Sequence, residues 1–166
     1  MSDSIRILRF TTLYDAIEDR ISITAVSADD QSIRFWMTHK FMDRLLPHFT
    51  TWLEQCIDQN NTDAILEFQQ AEAGQSLKAE APVVNTSERS VLVHSVDISS
   101  NQEWIRMIIK LDEEHFFIQF SRHGLQQWLS IALNTYNQAG WSTESWPRWI
   151  KDTAYQTTAT DKPLLH

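Results

Sequence analysis

"ISITAVSADDQSIRFWMTHKFMDRLL", residues 21–46, decides how the chain is read. Ile21, Ile23 and Ala25 fall on one face of an alternating run, the period of a half-buried strand. "ADDQ" (28–31) supplies turn chemistry, because an Asp side chain can hydrogen-bond its own backbone. "SIRFWM" (32–37) alternates again, Ile33, Phe35 and Met37 against Arg34 and Trp36, so the stretch reads as a β-hairpin. At Thr38, a ready N-cap, the period changes to that of a helix. Phe41, Leu45, Phe49, Trp52, Leu53 and Cys56 form one apolar stripe. Pro47 lies inside that stripe. It lacks an amide donor and crowds the carbonyl four residues back, so a kink or break is expected between Asp43 and His48.

The same grammar returns in "IRMIIKLDEEHFFIQFSRHGLQQWL" (105–129). Ile105, Met107, Ile109 and Leu111 oppose Trp104, Arg106, Ile108 and Lys110; "DEEH" (112–115) turns the chain, and "FFIQF" (116–120) is the next strand. Ser121 stands where Thr38 stood, capping a helix that carries Leu125, Leu129, Ala132, Leu133 and Tyr136, with Gly140 as its terminator. A strand precedes each copy, "SIRILRF" (4–10) and "SVLVHSVDI" (90–98), the latter placing His94 with Leu92, Val96 and Ile98. The expected fold is α+β: an antiparallel sheet with two amphipathic helices on one face, built as pseudo-duplicated strand–strand–strand–helix units over 4–57 and 89–139. Between them, 58–88 holds six acids and one lysine. It reads as an acidic, mobile connection with a short helix around Ile65, Leu66 and Phe68. Residues 1–152 make one domain, closed by a Trp-rich C-terminal segment, and 153–166 form a polar tail.

"EDRISITA" (18–25) with "IRFWMTHKFMDRLLPHFTTWLE" (33–54) resembles an uncharacterised bacterial protein family of unknown function. The resemblance contains no catalytic motif and implies no activity.

Composition excludes several classes. A chain of 166 residues can bury roughly 70% of its unfolded surface. Its net charge of −8, with 14 basic residues scattered singly, argues against a nucleic-acid partner. Cys56 is the single cysteine, on the apolar stripe, so neither a disulfide within the chain nor a multi-cysteine metal site is available. "MSDSIRILRF" does not read as a signal peptide, and no apolar run approaches a bilayer span, so the expectation is a cytoplasmic protein with no membrane association. Gly74, Gly124 and Gly140 are the only glycines. Neither a phosphate-binding loop nor a nucleophile elbow can be built from them, and no cofactor is expected.

Two sets of residues carry what functional signal there is. His39 and Asp43 stand one helical turn apart and, joined by His94, would make a small metal-dependent enzyme. "WSTESWPRW" (141–149) gathers three of the seven tryptophans beside Arg148. Trp141, Trp146 and Trp149 read first as a lid over the core, since each ring removes roughly 150–250 Å² from water. With Arg148 they read second as a partner surface. Trp36 and Trp104, opposite the main apolar set on their strands, are what such a lid would cover. The function expected from the sequence is a non-catalytic binding or adaptor protein, with a protein partner or a homodimer. The alternatives are an acidic dimer like a secretion chaperone and the enzyme of His39, Asp43 and His94.

Overall fold

The computed structural model describes residues 4–57 and 60–157, the side chains of 153–157 excepted. Strands β1 (Ser4–Asp15), β2 (Arg20–Ser27) and β3 (Ser32–Met37) lead into helices α1 (His39–Gln55) and α2 (Thr62–Gln75). Strands β4 (Ser90–Leu92), β5 (Val96–Ser100), β6 (Trp104–Lys110) and β7 (His115–Ser121) lead into α3 (Arg122–Ala139) and α4 (Arg148–Thr157). Residues 158–166, most of the expected polar tail, lie outside the described residues. Among the described residues no helix is long and apolar enough to cross a membrane.

The strands form one sheet in the order β4-β3-β2-β1-β7-β6-β5. It is mixed, not antiparallel as the hairpins led us to expect. The hairpins themselves are antiparallel, but β1 pairs with β7 in parallel through Ser4–Arg6, and β3 pairs with β4 in parallel. A tight turn dictates direction only for the two strands it joins. β1 and β7 are far apart in sequence, and nothing local fixes how they meet.

The expected strand 90–98 is two strands, and they occupy opposite ends of the sheet order. Laid flat, six inter-strand steps would separate β4 from β5 by about 29 Å. The three residues between them, 93–95, can bridge at most about 15 Å. The sheet therefore curls until its ends approach. Two contacts across the curl agree. The rings of Phe35 on β3 and Phe116 on β7 lie 5.7 Å apart although β2 and β1 intervene, and Arg89 pairs with Glu114. Val93 N–H donates to Trp36 O and Lys110 N–H to Ser95 O, so the crossing segment is held at both sides.

Alternation sets the inner face. Ile33, Phe35 and Met37 on β3, Ile105, Met107 and Ile109 on β6, and Phe116, Ile118 and Phe120 on β7 are buried in one core with α1 and α3. Both hydroxyl caps form: Thr38 Oγ1 accepts from Phe41 N–H at 3.1 Å, and Ser121 Oγ from Gly124 N–H at 3.0 Å. Gly140 ends α3 at φ 70°, the left-handed turn for which a β-carbon is a burden. The α1 stripe sits slightly off the expected one: Met42 and Leu46 are buried with Leu45, Phe49, Trp52 and Leu53, while Phe41 and Cys56 are only half-buried. The expected break at Pro47 does not occur. α1 runs unbroken through it, with Pro47 and Asp43 both exposed, so the carbonyl that loses its amide partner lies on the solvated side.

The connection is more built than its composition implied. α2 extends to Gln75 and buries Leu66, Gln70 and Ala73 against α3 and α4, whereas Phe68 stays 71% exposed. Gln70 Nε2–H donates to Gln126 O at 2.7 Å and Ser130 Oγ at 2.8 Å, both on α3. Further along, Val83 is buried and its N–H donates to Thr11 Oγ1 on β1 at 2.8 Å.

Candidate functional site

Gly140 turns the chain at the end of α3 so that Trp141 returns over the start of α1. Trp141 stacks flat on His39, with centroids 4.3 Å apart and planes at 6°. His39 Nε2 lies 3.1 Å from Asp43 Oδ2, as the i, i+4 spacing requires. On its other oxygen Asp43 accepts from the Tyr136 hydroxyl at 2.7 Å. Trp141 Nε1–H meanwhile donates to Asp19 Oδ1 at 3.2 Å, which also accepts from Tyr14 OH at 2.6 Å. One polar chain thus ties α1 and α3, and one stacked pair links it to the β1–β2 turn.

The electrostatics describe a clamp more than a reaction centre. Burial first, then the hydrogen bond to Asp43 and its negative charge, push the Tyr136 phenol far above its ordinary value of 10.0. Such a phenol keeps its proton and donates. The phenol of half-buried Tyr14 is raised as well, chiefly by its hydrogen bond to Asp19. A nucleophile would need a base within reach, but the nearby Thr50 hydroxyl donates to Pro47 O within α1.

The structure therefore brings together residues that the sequence had placed in separate hypotheses. His39 and Asp43 share a site with Trp141, and Trp146 packs edge-on to Tyr136 at 5.0 Å. Trp146 Nε1 is buried and has no hydrogen-bond partner among the described residues, beside a cavity of about 50 Å³ that Asp43 and Thr50 also line. Trp149 Nε1–H donates to Glu54 Oε1 at 3.3 Å. All three rings of the C-terminal segment are buried, and Arg148 is exposed.

His94 does not join them. It is exposed in the 93–95 crossing and lines a groove with Lys110 and Glu114 instead. Its expected place in a continuous apolar strand is lost because the strand breaks there. Among the described residues no three His, Cys, Asp or Glu side chains gather as a metal site would require. No family model matches the chain, and no curated protein or solved structure does either.

A second surface lies on the outer side of the sheet. The tryptophans at 141, 146 and 149 belong to the core, and they do not cover Trp36 or Trp104, which pack outside it. On the outer face of β6 and β7 the register sets Arg106 opposite Gln119 and Ile108 opposite Phe117. The Arg106 guanidinium lies 4.9 Å from the Trp104 ring and 4.2 Å from the Phe117 ring. Its Nε and Nη2 donate to Gln119 Oε1 at 3.2 and 2.7 Å. Trp104, Ile108 and Phe117 are all half-buried there. The signal was legible in principle: the second face of each strand alternates large apolar with polar residues instead of being uniformly polar.

Proposed function

We propose that the chain is a non-catalytic binding or adaptor module, acting in the cytoplasm, that engages a protein partner through the outer face of β5, β6 and β7. The observation that carries this reading is Arg106 held between Trp104 and Phe117 on a face that the C-terminal tryptophans leave uncovered. Tryptophan and arginine dominate the energetics of protein interfaces because they combine large apolar area with directed donors. A side chain already fixed by two rings and a glutamine loses little further entropy on binding. Arg148, exposed at the start of α4, is the one residue of the C-terminal set left open to a partner.

The reading includes one domain through residue 152, made of two related strand–strand–strand–helix units over 4–57 and 89–139. The sense of the sheet order supports it: β3-β2-β1 of the first unit is followed by β7-β6-β5 of the second, each run in reverse chain order, while β4 stands apart beside β3. So do the hydroxyl caps at the head of α1 and α3.

The test is capture from native lysate followed by mass spectrometry, with the intact chain as bait beside Trp104→Ala/Phe117→Ala and Arg106→Glu. Partners retained by the intact chain should fall by about tenfold or more with either variant, the loss expected of an interface hot spot, while melting temperatures stay close to the parent's. Undiminished capture by both variants, at unchanged stability, would remove this face from the proposal.

A further inference from the structure

We propose that the cavity beneath the 76–83 segment binds a small monocarboxylate with an apolar body. The segment leaves α2, crosses above β1 and α3, and is tied down at both ends. At one end Ser76 Oγ lies 3.2 Å from His123 Nε2 and accepts from Gln127 Nε2–H at 3.1 Å. At the other, Val83 N–H donates to Thr11 Oγ1. The hollow, open along one side, has a volume of about 440 Å³, within the range of about 300–1,000 Å³ usual for small-molecule sites.

Its lining divides by chemistry. Phe10, Leu77, Phe120, Trp128 and Ile131 offer an apolar wall. Thr11 and Thr12, at 5% and 3% exposure, supply the polar part of the interior. Each hydroxyl accepts one hydrogen bond, Thr11 from Val83 N–H and Thr12 from Trp128 Nε1–H at 3.0 Å, and among the described residues neither donates one.

The rim fixes the charge. Arg9 and Lys78 are both exposed at its edge, and neither forms an ion pair among the described residues. Among the described residues Glu80 is the one acid that lines the cavity. Two free cations beside an apolar hollow, on a chain of net charge −8, are a local reversal of the molecule's field. A carboxylate at the mouth meets Arg9 and Lys78 while its hydrocarbon body covers the rings. An uncharged alcohol of the same length gains only the second interaction.

Octanoate and 1-octanol are suitable probes, titrated into the full-length ¹⁵N-labelled chain. The reporter is the Trp128 indole N–H signal, assigned by its loss in Trp128→Phe. Octanoate should shift that signal saturably, and 1-octanol should bind about tenfold or more weakly, as expected where charge-assisted hydrogen bonds are missing. Arg9→Gln/Lys78→Gln should bring octanoate down to the affinity of 1-octanol and leave 1-octanol unchanged. Both positions are exposed, so the variant's fold is checked by its unshifted remaining signals. No saturable shift with octanoate overturns the proposal. Equal affinity for the two probes, or an unimpaired double variant, overturns the assignment of the carboxylate to Arg9 and Lys78. Neither result bears on the partner face of β5–β7, whose residues do not line this cavity.

Discussion

Tyr136 shows how a single side chain joins stability to pH. It is fully buried, it packs against Trp141 and Trp146, and its hydroxyl is spent on Asp43. Tyr136→Phe keeps the ring and removes the bond. The loss should be about 1.5 kcal/mol, at the low end for a bond to a charged group because Asp43, 44% exposed, regains water. The alkaline limb is the more specific readout. The folded phenol holds its proton more tightly than the unfolded one, whose ordinary value is 10.0. Stability from this group is therefore complete below that pH and is lost above it, as the unfolded chain releases a proton that the folded chain retains. The decline can reach about 1.4 kcal/mol per pH unit. Chemical denaturation at about pH 9 and 11 should show a steeper fall for the parent than for Tyr136→Phe, and parallel lines would mean the phenol is not held as described. Tyr14 shifts in the same direction and leaves a smaller residual slope in the variant.

At the scale of elements, the C-terminal segment is a lid, but over a different place from the one expected. Trp146 and Trp149 are 5% and 3% exposed and pack with α1 and α3. Replacing either with Ala should cost about 3–5 kcal/mol, the usual toll of emptying a large aromatic site. Shifts within about 0.5 kcal/mol in a denaturant titration would mark them as surface rings instead. What could be read from sequence follows the same division. Thr38 and Ser121 were recognisable because a cap is a contact between neighbours three residues apart. The strand faces were recognisable because alternation is local, and so was the i, i+4 pair of His39 and Asp43. The stack of Trp141 on His39 was not, since it joins residues about a hundred positions apart through a turn whose direction only the packed helices fix. The single strand expected over 90–98 failed for a related reason. The alternating pattern of Leu92, Val96 and Ile98 continues across His94, and the demand that breaks the strand comes from β3 and β6, each capturing one half. Arg106, Trp104 and Phe117 fell between these cases: their faces were visible, but their convergence depends on the register of β6 against β7.

For the whole molecule, the curl of the sheet is the feature on which the enclosed core depends, and it can be tested without reference to function. In a flat sheet Phe35 and Phe116 would be three strand steps apart, about 14 Å, and could not touch. Here their rings meet at 5.7 Å with planes at 63°, an edge-on arrangement inside the core. Phe35→Leu and Phe116→Leu keep most of the buried volume, so both single variants and the double should fold. An aromatic pair in contact contributes about 0.5–1.5 kcal/mol beyond its area, and the double-mutant cycle should return a coupling of that size. Residues that do not touch add within about 0.3–0.5 kcal/mol. The Arg89–Glu114 pair, on the same seam but with side chains 39% and 40% exposed, should couple by less than about 1 kcal/mol and weaken with salt. A strong, salt-independent coupling at the rings with a weak, salt-sensitive one at the ion pair is the pattern a curled sheet with a wet outer seam must give. Additive rings would mean that β3 and β7 do not face each other, and the link at 93–95 would then have to be longer than three residues allow.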